Sequence, residues 1–305
     1  MRRYIINRIL QTIPILFGVT LFAFFLLRLT GDPARLMLGA LAPEEVLEEY
    51  REKHGLNDPV LSQYWRFIQD VFHGDFGISL PYQEPVLPLL LDRVPVTVEL
   101  SSVALAIGLV IGIPTGVFSA VYRNSWWDIV IRAMVMFGQA VPGFYLGLLL
   151  IIVFSVELRI LPTGGRGGLK HLIMPSVTMS TYLVTLIVRF TRAAVLDVLS
   201  SDYVRTARAK GLRERIVLFR HVLKNALIPL TTVIGLQIAG LFGGSVITET
   251  IFAWPGVGRF TVQAIFSRDF PVLQTVILIM SAVIIIINLV VDILYSYMDP
   301  RIRFE

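Results

Sequence analysis

The sequence predicts an all-α membrane protein with six transmembrane helices, and three observations predict it. Of the 305 residues, 55% are apolar and only 16% charged, against about 45–50% and about 25% in soluble domains. The apolar residues gather into stretches that reach or approach the roughly 20 residues a helix needs to cross about 30 Å of hydrocarbon. None of these stretches alternates polar with apolar residues, which argues against a membrane barrel. Mean hydropathy is +0.73, a value that leaves no room for a soluble enzyme, a disordered chain or a fibrous repeat. Cysteine is absent, so a disulfide framework, a thiolate metal site and a Cys nucleophile are excluded.

The expected spans cover residues 9–29, 100–122, 129–156, 173–190, 226–247 and 271–293. Arg2, Arg3 and Arg8 give the first span a basic start, but its apolar run is too long for a signal peptide. No small-residue cleavage site follows before Thr30-Gly31-Asp32-Pro33, so it reads as an uncleaved anchor. Six spans put both termini on one side. With the termini inside, 14 basic residues fall on inner segments and 10 on longer outer ones, while Arg28, Arg132 and Arg189 sit at span ends. The positive-inside bias therefore places the termini in the cytoplasm, mainly on the weight of the Arg192–Lys224 loop.

Residues 30–99 form a long outer region. Val46, Leu47 and Tyr50 recur at helical spacing amid Glu44, Glu45, Glu48 and Glu49. Tyr64, Trp65, Phe67, Phe72 and Phe76 offer material for a small core, so an ordered extracytoplasmic subdomain is expected rather than a linker. Two domains follow: 1–99, the first span with this subdomain, and 100–305, a five-helix core.

The span interiors are nearly free of ionisable groups: Arg28, Glu99, Arg132, Arg189 and Asp292 all lie near ends, where long side chains snorkel. Ion-driven carriers need midplane carboxylates or histidines for the coupling ion, and here none is placed. An intramembrane hydrolase would lack its base, since His54, His73, His171 and His221 lie in loops or outside the spans. No G-x-x-x-x-G-K-[ST] phosphate loop occurs. Gln139, Gln237 and Asn288 are the mid-span amides and hence the candidates for lining a path. Gly108, Gly112 and Gly116 stand at helix-packing spacing, as do Gly143/Gly147 and Gly240/Gly244. Such glycines suit either a mobile interface or static packing. Pro114, Pro142 and Pro229 each permit a kink.

The stretch 196–230 is the most informative. Ser201 is placed to cap a helix that Asp202 favours electrostatically, and Lys210 with Gly211 forms the stop. That predicts a helix of about 9 residues, too short to span, with Tyr203 and Ala207 on one face and Arg205, Arg208 and Lys210 over the rest. It suits either a docking element for a cytoplasmic partner or a basic helix resting on anionic lipid.

Tyr203-Val204-Arg205-Thr206-Ala207-Arg208-Ala209-Lys210-Gly211 resembles the EAA loop of the inner-membrane permeases of binding-protein-dependent ABC transporters, in the peptide/nickel branch. The likeness extends in order through Gly31-Asp32-Pro33, Gly74-Asp75-Phe76-Gly77, Asn225-Ala226-Leu227-Ile228-Pro229 and Glu249-Thr250-Ile251-Phe252-Ala253-Trp254-Pro255-Gly256-Val257-Gly258. It closes with Arg268-Asp269-Phe270-Pro271 and Asp299-Pro300-Arg301-Ile302-Arg303. Arg205 stands where the general motif has Glu, and His221-Val222-Leu223-Lys224 where it has I-x-L-P, which narrows the likeness to the peptide branch.

The resemblance implies a type I ABC importer permease (MetI-like) core in a prokaryotic inner or plasma membrane. It implies a second homologous permease subunit completing a heterodimer, two cytoplasmic ATPases that bind ATP and magnesium in place of this chain, and an extracytoplasmic substrate-binding protein. No nucleic acid partner is implied. Asp202, Tyr203, Val204, Arg205, Thr206, Ala207, Arg208, Ala209, Lys210 and Gly211 would form the ATPase-coupling helix and its stop. Di- or oligopeptides are the expected solutes, with glutathione or nickel as alternatives. A stand-alone ion-coupled carrier or channel is the rival of another class.

Overall fold

Helix formers at membrane-crossing length, separated by Gly and Pro punctuation, dictate a chain of helices and short turns. The computed structural model describes residues 2–29, 31–39 and 41–298. The Asp299-to-Arg303 motif and the side chains of Arg28 and Asp292 lie outside what is described. In order come α1 (Arg2–Leu29), α2 (Pro33–Leu38), α3 (Glu44–Lys53), α4 (Val60–His73), α5 (Val86–Leu91), α6 (Val94–Val121) and α7 (Trp126–Ala140). Then follow α8 (Gly143–Leu150), running on as a π-helix over Ile151–Glu157, α9 (Leu169–Leu199) and α10 (Asp202–Ala209). The short α11 (Glu214–Ile216) continues as a π-helix over Val217–Leu223 into α12 (Lys224–Ile251), with α13 (Val257–Ser267) and α14 (Phe270–Met298) closing the chain. Among the described residues, strand pairing is limited to one isolated bridge between Ile78 and Pro85.

Each expected span falls on helical chain, but the third is not one helix. Its two halves, α7 and the α8 stretch, meet at 96°. Pro142 explains the break: it has no N–H to donate, and its ring holds Val141 in an extended conformation at φ −79°, ψ 118°. Pro114, by contrast, is absorbed inside an unbroken α6. By length and apolarity alone, Val86–Val121 and Phe270–Val291 suffice to cross a membrane, and the bent α7/α8 stretch does so if taken as one span.

The chain forms two compact units. One comprises residues 97–254 with the chain from 287. In it, α6 and α9 approach so closely that only glycine fits between them. A Cβ on Gly112 would lie 2.7 Å from Ile187 Cγ2, and one on Gly116 would lie 2.6 Å from Thr191 Cβ and 2.8 Å from the Val188 carbonyl oxygen. The glycine series of α6 is therefore packing within one chain. Gly240 shares its spacing but, among the described residues, has nothing within 4 Å of its ideal Cβ.

The other unit comprises residues 2–96 and 255–286. Asp32 caps α2, accepting the Ala34 N–H at 3.1 Å, and Arg51 of α3 forks onto Asp32, Glu44 and Glu48. The aromatic core expected from the outer region forms only in part. Tyr64 is buried against α1, its hydroxyl 2.8 Å from Thr20 Oγ1 and its ring near Phe17 and Phe24. Phe67 joins Phe24. Trp65 and Phe72 face outward, 62% and 85% exposed, because α4 has one inner face and positions 65 and 72 lie two turns apart on the other. A second core brings α5, α13 and α14 together through Val86, Leu90, Val257, Phe260, Ala264, Val272 and Val276, with Phe76 packed against it. Ser79 donates to the buried Asp269 carboxylate at 2.5 Å. Phe76 of the Gly-Asp-Phe-Gly motif and Asp269 of the Arg-Asp-Phe-Pro motif thus have a structural reason.

Candidate functional site

The 196–230 stretch folds as its punctuation dictates. Asp202 opens α10, and Gly211, at φ +74°, reverses the chain after Lys210. The capping expectation needs one correction. Ser201 occupies the cap position, but its hydroxyl donates backward to the Val198 carbonyl at 2.6 Å and does not cap α10. Across the stop, Arg208 grips Glu214 with two hydrogen bonds, 3.1 Å from Nε and 2.6 Å from Nη2. Those bonds raise the Arg208 pKa and hold the Glu214 carboxyl below its usual range, burial opposing in both cases.

The faces of α10 differ from the expected pairing of Tyr203 with Ala207. Val204 and Ala207 are buried, packed with Ala120, Val195, Val217, Val222 and Ala226. Tyr203, Arg205, Thr206, Arg208, Ala209 and Lys210 are exposed, as is Gly211. Ala207 therefore holds α10 to its own chain, and the free surface consists of the side chains around it. Asp202 and Arg205 approach to 3.5 Å with both side chains almost wholly in solvent, a pair that adds little.

The three mid-span amides separate. Gln237 lines an open cavity of about 590 Å³ between α8, α9 and α12, together with Pro142 and Gly143 at the helix break and Thr178, Tyr182 and Thr248. Gln139 is exposed on α7 and Asn288 half-buried on α14; neither lines that cavity. Among the described residues no Asp, Glu, Lys or Arg lines it either, so a solute there meets an amide, hydroxyls, backbone and apolar surface.

The burial of two carboxylates was not foreseen from the sequence. Glu249, wholly buried near the end of α12, accepts a hydrogen bond from Thr97 Oγ1 at 2.7 Å. Asp128, wholly buried in the first turn of α7, accepts Arg192 in a fork, at 2.9 Å to Nε and 3.0 Å to Nη2. For Asp128 the available signal was an acidic residue at an apolar helix start, which a cap explains equally well.

A family model described as the inner membrane component of binding-protein-dependent transport systems matches residues 112–304, and the model for the N-terminal part of such membrane components matches residues 1–101. The glutathione transport system permease protein GsiC of Escherichia coli (strain K12) is 44% identical over 306 residues, covering 100% of each chain. Its counterpart in Shigella flexneri serotype 5b (strain 8401) is 43% identical with the same coverage. Among solved structures, the inward-facing MetNI methionine ABC transporter in its CY5 SeMet soak crystal form matches with a TM-score of 0.62 and 22% identity, covering 71% of this chain and 99% of that one. The crystal structure of an amino acid ABC transporter with histidines matches with a TM-score of 0.51 and 18% identity, over 70% of this chain and 94% of that one. These two likenesses concern the fold alone. With both family models matched in order along the chain, it belongs to the inner membrane components of binding-protein-dependent transport systems, as a permease subunit of an ABC importer.

Proposed function

We propose that this permease subunit passes glutathione, or a related di- or oligopeptide, from an extracytoplasmic binding protein to the cytoplasm, driven by two ATPase subunits that press on α10. The observation that carries the coupling role is the division of α10 into a face buried in its own chain, Val204 and Ala207, and a free face bearing Tyr203, Arg205, Thr206, Ala209 and Lys210. A helix anchored on one side and open on the other transmits force applied to the open side. The likeness to glutathione permeases, 44% over the whole of both chains, supports the solute class. The missing phosphate loop supports hydrolysis by the partners, with ATP and magnesium held there.

In this reading a second homologous permease completes the path as a heterodimer, and closure of the ATPases shifts the population from inward- to outward-facing states. The membrane topology belongs to the same proposal: six spans with both termini in the cytoplasm, residues 1–99 forming the first span with its outer subdomain, and 100–305 the five-helix core. The uncharged cavity at Gln237 is a candidate passing place, where weak polar contacts favour release over retention.

The test is reconstitution with the partner permease, ATPases and binding protein in proteoliposomes. ATP-dependent uptake of radiolabelled glutathione that is lost when any subunit is omitted is the expected result. Ion-driven uptake by this chain alone, without ATP, would overturn the reading.

A further inference from the structure

The polar tie at the start of α7 has a geometry that a helix cap alone does not require. Asp128 is wholly buried, yet its two carboxylate oxygens gather donors from three elements. Oδ1 accepts Ser119 Oγ of α6 at 2.6 Å and Arg192 Nε of α9 at 2.9 Å. Oδ2 accepts Arg192 Nη2 at 3.0 Å and the Asn124 N–H of the α6–α7 turn at 3.0 Å, with Arg132 Nε at 3.5 Å. The two attached helices, α6 and α9, also reach the cluster under α10. Ser119 adjoins Ala120, and Arg192 stands one turn before Val195; both apolar neighbours pack against Val204 and Ala207. Gly116 pins α6 to α9 at the same level, where an added Cβ would strike the Val188 carbonyl oxygen at 2.8 Å. At its far end α7 breaks by 96° at Pro142, beside the cavity that Gln237 lines.

We infer that Asp128 and Arg192 are positioning residues for energy coupling: their forked pair locks α7 to the α6–α9–α10 body, so that displacement of α10 is delivered to the helix break at Pro142. A planar fork onto a carboxylate resists rotation as well as separation, which a single hydrogen bond or an apolar contact does not. Without it, α7 would rest on α9 mainly through apolar packing, and movement of α10 would dissipate at that contact. The inference rests on the coupling role proposed for α10.

The chain has no cysteine, so a spin-label pair can be introduced cleanly at Arg215→Cys, exposed beside α10, and Met136→Cys, exposed on α7. In the complete transporter the distance between them is expected to stay fixed between nucleotide-free and ATP-bound states, and to shift or broaden with ATP in the Asp128→Asn background. A native distance that itself changes with ATP would show that no lock exists. This measurement needs no knowledge of the solute. A second readout is glutathione taken up per ATP hydrolysed, which should fall about tenfold in Asp128→Asn and Arg192→Gln and less in Arg192→Lys, within the usual range of coupling energies. Uptake and hydrolysis that decline together, in proportion to assembled complex, would mark the pair as merely structural. Failure of the native complex to move glutathione would instead count against the solute assignment.

Discussion

A methyl group added at Gly116 would press on Thr191 and on the Val188 carbonyl oxygen, whereas one added at Gly240 would meet nothing within 4 Å. Gly116→Ala should therefore destabilise the purified protein by about 1–3 kcal/mol through overpacking. Gly240→Ala should be neutral or stabilise by up to about 1 kcal/mol through helix propensity. Thermal unfolding in detergent separates the two, and equal midpoints would refute the packing argument. Asp32 supplies a pH test outside the spans. Burial pushes its carboxyl up, but hydrogen bonds from Arg51 and the Ala34 N–H, with the charges of Arg51 and Arg35, leave it below its ordinary value. A carboxyl that titrates lower folded than unfolded contributes fully above about pH 4 and loses its contribution as pH falls through the lowered value. Hydrogen exchange over residues 32–53, corrected for intrinsic rate, should be flat from about pH 8 to about 5 and quicken below about 4. In Arg51→Ala the step should shrink, leaving what the Ala34 N–H and Arg35 sustain. At this scale the sequence was least legible. The glycines of α6 and α12 look alike until their neighbours are known, and Asp128 finds Arg192 64 positions away.

Local punctuation is read more easily than packing, and the helices show the difference. The limits of α10 were legible because Asp202 and Gly211 act on their own backbone, one through the helix dipole and the other by adopting positive φ. Its inner face was not, because the surface that covers Val204 and Ala207 comes from α6, α9 and the π-helical stretch before α12. Pro142 was legible as a kink, but a 96° break depends on what the freed ends pack against. The two faces of α10 predict opposite failures. Ala207→Leu overfills the cluster beneath the helix and should cost about 1–3 kcal/mol, read as a lower unfolding midpoint of the permease by itself. Tyr203→Ala with Lys210→Ala should leave that midpoint unchanged and weaken co-purification of the ATPases. If the Ala207 variant unfolds normally, α10 is not anchored as described. If the surface pair retains full ATPase binding, its free face is not the docking surface.

Across the whole molecule, the property that fixes orientation is charge, and the largest inner cluster surrounds α10. Translocating that cluster would require carrying Arg205, Arg208, Lys210, Arg213 and Arg215 through hydrocarbon, at roughly 2.5–3.5 kcal/mol for each charge even on insertion scales. The outer region resists the opposite placement less strongly, since acidic groups weigh little in the bias. It is rich in them, however, and Arg51 is already neutralised by Asp32, Glu44 and Glu48. The proposed topology therefore predicts opposite accessibility for two exposed positions, Lys53 at the end of α3 and Arg215 beyond α10. The cysteine-free chain allows each to be replaced singly by cysteine and probed with a membrane-impermeant maleimide in intact spheroplasts. Lys53→Cys should label without permeabilisation, and Arg215→Cys only after it. Labelling of both from outside would mean an even number of crossings between them instead of the three proposed, which would remove α10 from the reach of any cytoplasmic ATPase and leave the buried tie at Asp128 with no driven element to serve.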